Sequence, residues 1–345
     1  MSGRGCYVRA MVTIIFLLCV LPLAAFGYTV FRLRRMNFQI KPDGAFAEID
    51  GVRIHYHYFP VGEEDLHTPT LVFLHGASGN AYDMRLAFLE ALKGKYSLLF
   101  VDRPGLGFSG GKSGTHDLPS GQAHVIATLL ERLAIEKSIV VGHSFAGSVT
   151  AALGLCAPKR VKGLVFLAPV SHPWPGGVNW YYSVASWPLI GPAFCWTFTL
   201  PIGNLLAPAA MTNVFLPDQP PGNYDAEIRL PLLFRPASFR ANANQIVHLN
   251  AAVADQSKRY CEINQPSLVV TGTEDTVVWP SIHCEGLLRD LPQAQLMCLD
   301  HAGHMPHHTH TDMIVKGIER LVHKIEGKEE VPSAERRSCD PVVKI

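Results

Sequence analysis

The apolar positions of this chain fall into distinct regimes. From Ala10 to Phe31 they run almost uncharged for about 20 residues, the length that crosses a bilayer. From residue 45 to 170, and again from 267 to 325, short apolar runs alternate with amphipathic stretches. Between these two regions, from 171 to 266, the alternation stops and the composition turns rich in Pro and aromatics. From 326 to 345 the chain is charged and shows no lasting periodicity.

The short runs predict strands. Phe46 to Asp50 and Val52 to Phe59 alternate about Gly51 and read as a hairpin. Thr70 to Leu74, Ser97 to Val101, Ser138 to Val141, Gly163 to Leu167, Ser267 to Thr271 and Gln295 to Leu299 are apolar throughout, as expected of strands buried on both faces. Helical patterns separate them, among them Gly121 to Leu133, Phe145 to Cys156 and Ser281 to Leu288. Strands and helices in alternation predict an α/β fold, a mostly parallel sheet flanked by helices. The expected organisation is an N-terminal membrane or signal segment (1–40), a core in two parts (45–170 and 267–325), a cap insertion (171–266) and a disordered tail (326–345).

An interval as long as 171–266 between two sheet strands folds on its own, as a cap over the strand ends and a gate for substrate. Four of the five tryptophans, Trp174, Trp180, Trp187 and Trp196, lie in it beside Tyr181, Tyr182, Phe194 and Phe198. Three uses are open for them: an apolar pocket for an acyl or aromatic group, the cap's own core, or contact with a membrane surface near the anchor.

The N-terminal run admits two readings. Arg4 and Arg9 before it and the small site Ala25-Phe26-Gly27 suit a cleaved signal and an exported protein. Its continuation through Phe31 to the basic stop Arg32-Leu33-Arg34-Arg35 favours a retained single-pass transmembrane anchor. The charge after the span tilts the catalytic domain toward the cytoplasm, and Arg4, Arg9 and the amino terminus oppose this, so the side of the membrane stays open. A net charge of +1 over 345 residues argues against a nucleic-acid footprint. The eight cysteines show no C-x-x-C spacing, which predicts reduced thiols.

The chemistry centres on Gly142-His143-Ser144-Phe145-Ala146-Gly147, directly after an apolar run. A serine there sits where a strand turns sharply into a helix, and small neighbours let the backbone fold beneath it; the plain alternative is a helix N-cap. Asp275 follows a later strand and His304 the last, in the order Ser, Asp, His. Glu274 competes with Asp275, which could also merely cap its turn, and His301 competes with His304. Two other signals are set aside. Gly105 to Ser113 lacks the first glycine of a phosphate loop. The histidines at 301, 304, 307, 308 and 310 surround Pro306 and have no partner Cys or carboxylate at ligand spacing, so no metal is expected. His55 and His57 share one strand face, read as solvated.

Five segments together carry a family resemblance: Leu74-His75-Gly76, Asp102-Arg103-Pro104-Gly105-Leu106-Gly107, the Ser144 turn, Gly272-Thr273-Glu274-Asp275 and Gly303-His304. Over roughly Ala45 to Ile325 the chain resembles the α/β-hydrolase superfamily. The resemblance implies Ser144 as nucleophile, His304 as base and Asp275 as the acid orienting it. It implies an oxyanion hole from the backbone amides of Ala77 and Phe145, a structural role for His75, and no cofactor. Ala146 stands where the simplest pattern has Gly, and alanine is still small. A serine at 144, where related epoxide hydrolases and haloalkane dehalogenases use a carboxylate, points away from them and toward esters, thioesters, amides or activated ketones; the expectation is a serine esterase acting on a small to medium, apolar ester or related acyl substrate. Acyl transfer, carbon–carbon bond hydrolysis and perhydrolysis use the same triad on this fold, and a non-catalytic binding protein is the rival from another class. Oligomeric state is not readable.

Overall fold

The computed structural model describes residues 3–62 and 68–328. The chain runs α1 (Gly3–Gln39), β1 (Ala45–Ile49), β2 (Val52–Phe59), β3 (Thr70–Leu74), α2 (Ala81–Leu92), β4 (Leu98–Val101), α3 (Pro119–Arg132), β5 (Ser138–His143), α4 (Ala146–Cys156) and β6 (Val161–Leu167). It continues through α5 (Trp180–Ser186), α6 (Gly191–Phe215), α7 (Tyr224–Glu227) and α8 (Pro236–Gln256). Then β7 (Ser267–Gly272), α9 (Pro280–Asp290), β8 (Ala294–Leu299), α10 (Pro306–Thr309) and α11 (Thr311–Glu326) complete it. The part of the tail beyond 328 lies outside the described residues.

One sheet takes all eight strands, in the order β1-β2-β4-β3-β5-β6-β7-β8. The β1–β2 and β2–β4 pairs are antiparallel and the rest parallel. Successive residues of each central strand point to opposite faces, so each strand feeds two cores. Val72, Leu74, Val140 and Phe166 pack with α3 and α4 on one side. Leu71, Phe73, Ile139 and Val165 pack with α2 and α11 on the other. That double burial is why these strands read as unbroken apolar runs. Parallel strands also bring their C-terminal ends to one edge of the sheet, where ligands bind in open α/β folds.

The interval between β6 and β7 contains helices α5 to α8 and two 3-10 turns. The apolar run 10–31 lies inside α1, a single 37-residue helix, and α1 packs along α6. Among the described residues the helix long and apolar enough to cross a membrane is α6. Two expectations need correction. His55 and His57 are buried, not solvated: Asp43, in the turn after α1, and Asp102 cover that strand face and hydrogen-bond the rings at 3.0 and 2.7 Å. Cys156, Cys195, Cys261 and Cys284 are free thiols, whereas Cys298 is disulfide-bonded.

Candidate active site

Ser144 follows β5 and precedes α4 with φ of +52°, a left-handed conformation that a serine adopts at a cost of about 1–3 kcal/mol. The surrounding backbone holds it there: the Ser144 N–H donates to the Leu167 carbonyl at 2.9 Å, and its own carbonyl accepts from Val170 N–H at 2.9 Å. Gly142 is required beneath the turn, because a Cβ there would collide with Thr150 Oγ1 and the Ala146 backbone. The result aims Oγ out of the sheet edge rather than at a helix amide.

His304 follows β8, and Asp275 follows β7. Ser144 Oγ lies 3.0 Å from His304 Nε2, and His304 Nδ1 lies 2.9 Å from Asp275 Oδ2. All three side chains are buried. The other carboxylate oxygen, Asp275 Oδ1, accepts from the Val277 and Val278 amides at 2.9 Å each, so this residue caps its turn and holds the imidazole at once. The two competing residues pair with each other instead: His301 Nδ1 meets Glu274 Oε1 at 2.9 Å on the exposed surface.

Ala77 and Phe145 line the same cavity as Ser144. Among the described residues neither amide donates a hydrogen bond within the protein. Arg103 sets the direction of one of them. Its guanidinium donates to the Gly76 carbonyl at 2.9 Å and the His75 carbonyl at 2.8 Å. In a trans peptide the N–H points away from the C=O, so fixing the Gly76 carbonyl turns the Ala77 N–H the other way. Arg103 is fully buried, which lowers its pKa to about 9, and it lies over the Phe145 ring at 4.2 Å. Gln122 and Gln245 accept from its Nη1 at 2.9 and 2.8 Å. His75 is structural: its Nε2 accepts from Arg103 N–H at 3.0 Å, and burial with the Arg103 charge lowers its pKa to about 4. From the cap, Asn242 Oδ1 on α8 accepts from the Ser78 amide at 2.8 Å.

Histidines form a second layer behind the site. His143 Nε2–H donates to the His304 carbonyl at 2.9 Å, and burial, then the neighbouring His307 and His304, holds His143 neutral well below the ordinary imidazole range. His307 and His308 bind Asp83 at 3.3 and 2.7 Å, and the Tyr224 hydroxyl donates to Asp83 at 2.7 Å. Burial would raise this carboxyl, but the histidines outweigh it and leave it well below the carboxylate range. The partner carboxylate absent at ligand spacing thus comes from α2. This trio and Asp43 with His55 and His57 have donor atoms close enough to hold a metal. In both, Asp–His hydrogen bonds already satisfy the carboxylate, and Asp43 also faces Arg85 and Arg229.

The cavity holds about 380 Å³, within the range of a small-molecule site. Trp174 and Trp279 line it with Val170, Ile246 and Leu249, while Trp180, Trp187 and Trp196 face outward. Sequence reasoning missed Arg103 and His143 as supports and Ile246 and Trp279 as lining. Arg103 and His143 stand inside the quoted segments, but only the fold shows what they bind.

Residues 71–316 match the model of the alpha/beta hydrolase family. A pimeloyl-[acyl-carrier protein] methyl ester esterase of Nitrosomonas europaea is 29% identical over 266 residues, covering 73% of this chain and 95% of that protein. A stretch of 125 residues is 34% identical to the dihydrolipoyllysine-residue acetyltransferase component of the acetoin cleaving system of Cupriavidus necator; it covers 36% of this chain and only 32% of that protein. The enol-lactonase of Burkholderia xenovorans LB400 superposes with a TM-score of 0.66 at 20% identity, covering 81% of this chain and 99% of that one, a likeness of fold.

Proposed function

We propose that this chain, which belongs to the α/β-hydrolase family, is a serine hydrolase that cleaves a carboxylic ester or related acyl substrate through an acyl-enzyme. The observation that carries this reading is the continuous line from Ser144 Oγ through His304 to Asp275, at 3.0 and 2.9 Å, beside two unpaired amides. An ester-cleaving relative that spans most of the chain supports the bond type.

With Nδ1–H donated to Asp275, the Nε2 lone pair of His304 faces the serine hydroxyl. His304 takes that proton as Oγ attacks the acyl carbon, and Asp275 stabilises the imidazolium without itself taking the proton. The carbonyl oxygen gains charge opposite the Ala77 and Phe145 amides, whose directions are already fixed and need no reorganisation. His304 then gives the proton to the departing alkoxide. In the second half, water repeats the attack through the same base, and the carboxylic acid leaves. No step requires a cofactor.

The substrate side is apolar, as the cavity lining suggests, and residues 10–31 hold the protein to a membrane as a single-pass N-terminal anchor. The continuity of α1 and the exposure of Leu21, Leu23 and Phe31 on it support the anchor. Resistance of the full chain to alkaline carbonate extraction tests it.

The enzymatic reading is tested with p-nitrophenyl esters of rising acyl length on the full chain in detergent, beside Ser144→Ala. A Ser144-dependent rate with a maximum at one length, and labelling of Ser144 by a fluorophosphonate, is expected. No rate and no labelling would sink the reading in favour of a binding protein.

A further inference from the structure

The cap is two different surfaces. From residue 173 to 217 it has no Asp, Glu, Lys or Arg, whereas 218–264 is studded with them. The charge-free half contains α6, 25 residues and about 37 Å long, whose most apolar stretch is only 17% buried. Leu205 and Leu206 stand 77% and 57% exposed, and Leu189, just before the helix, 92%. A core helix would bury these side chains; this one does not.

The threonines of α6 are also disposed for an apolar medium. All three of its threonines, Thr197, Thr199 and Thr212, turn their hydroxyls back onto carbonyls four residues earlier, at 2.8, 2.7 and 3.1 Å. Pro201 and Pro208 lie inside it, and proline is more frequent in membrane helices than in soluble ones. Yet α6 cannot cross a bilayer, because the domain holds both ends. Arg240 of α8 binds the Ala185 and Trp187 carbonyls before it, and Phe215 packs against Tyr224 and Met305 after it.

Its depth follows from what it touches. Trp196 of α6 meets Phe26 of α1 with ring centroids 5.7 Å apart. Phe26 lies inside the apolar run of the anchor, six residues before Arg32, where the basic cluster marks the headgroups. At helical rise that is about 9 Å into the membrane, the depth at which interfacial amphipathic helices sit.

We propose that α6 is embedded in the hydrocarbon of the bilayer beside α1, so that the hydrolase takes its acyl substrate from the membrane rather than from water. The embedding rests on the anchor, and the choice of substrate rests on the hydrolase reading. Aromatic contacts join α6 to the site. Phe198 meets Phe194 at 5.5 Å, Phe194 meets Trp180 at 6.3 Å, and Trp180 meets Tyr181 at 6.0 Å. Tyr181 packs against Tyr182 at 4.4 Å, and Tyr182 lines a second hollow that shares Gly177 and Ile246 with the cavity. At its other end, the Leu216 carbonyl just after α6 lies against Gly303, next to His304.

The full chain is reconstituted into phosphatidylcholine vesicles in which some lipids carry a diazirine in the acyl chain, then irradiated, and labelled peptides are mapped. Labels on both α1 and α6 are expected. In parallel, Leu205→Glu/Leu206→Glu should lower turnover of a long-chain p-nitrophenyl ester carried in the vesicles by about tenfold and leave p-nitrophenyl acetate within about twofold. Labels on α1 alone would overturn the proposal and leave water or a second copy of the chain against α6. Labels on neither would overturn it together with the anchor. Labels on α6 in a protein that turns over neither ester would uphold the embedding and place the failure in the hydrolase reading.

Discussion

The core and the cap use the same large apolar side chains to opposite ends. Phe73 stacks on Phe88 and Phe100 at 5.0 and 4.8 Å, all three sealed from solvent. In the cap, Trp180, Trp187, Leu189 and Leu205 face outward. Every side chain in the proposed chemistry hangs from a core strand end, and each has a fixed hydrogen-bond partner. The cap contributes Trp174, Ile246 and Leu249 to the cavity, and Asn242 and Tyr182 reach Ser78, the residue after Ala77. On the proposed function, the core determines what bond can be broken, and the cap determines what reaches it.

That division is broken most directly at the triad. Ser144→Ala should lower kcat by about 10⁴-fold or more with the urea midpoint unchanged, since the hydroxyl packs against nothing the fold depends on. Asp275→Asn should do nearly as much by favouring the wrong His304 tautomer. A fall in activity shared equally by cap variants would contradict the division.

The stability half of the contrast comes next. Phe73→Ala should cost about 3–5 kcal/mol, because the cavity it leaves is closed by strands on both sides. Leu205→Ala, on the exposed face of α6, should stay within about 0.5 kcal/mol. Urea denaturation of the two variants checks the pair, and equal losses would mean that α6 is packed against something in solution.

Acid should also strike the core. Burial first, then cationic neighbours, lowers His75 and His307 to a pKa of about 4 in the folded chain, against about 6.5 unfolded. The folded state therefore binds fewer protons between these values. Each histidine contributes about 3 kcal/mol that is fully present above pH 6.5 and lost as the pH falls toward 4. Asp83, lowered by His307 and His308, adds a loss at still lower pH. Urea midpoints at pH 7.5, 6 and 5 should fall steadily, and a flat profile would mean that these rings are not held neutral.

The same contrast explains what could be read beforehand. Strands such as Thr70–Leu74 were legible to the residue because burial on both faces leaves no polar position to blur the run. Ser144, Asp275 and His304 were legible because sharp turns at strand ends need small residues beside them. Long-range partners were not. Nothing near His307 announces Asp83, 224 residues away, and alternation in β2 cannot reveal that Asp43 and Asp102 seal the His55–His57 face. The helix α6 escaped for a further reason: a sequence apolar on every face has no period to detect, and Pro201 and Pro208 argue against a helix in water.

The smallest effect is the most telling about the cap. Trp174 lines the cavity from the first residues of the insertion and is held by Asn250, whose side chain accepts from its amide at 3.3 Å and donates to its carbonyl at 2.9 Å. Its ring also meets His283 edge-on, at 5.9 Å. Trp174→Ala keeps those backbone bonds and removes only the wall. It should therefore raise KM for the preferred ester about tenfold, leave kcat within about twofold and shift the preferred acyl length upward, since the enlarged cavity still faces the same nucleophile and amides. Steady-state kinetics across the ester series read all three quantities. A loss confined to kcat would instead place Trp174 in the support of His304 and move the border between cap and chemistry inward.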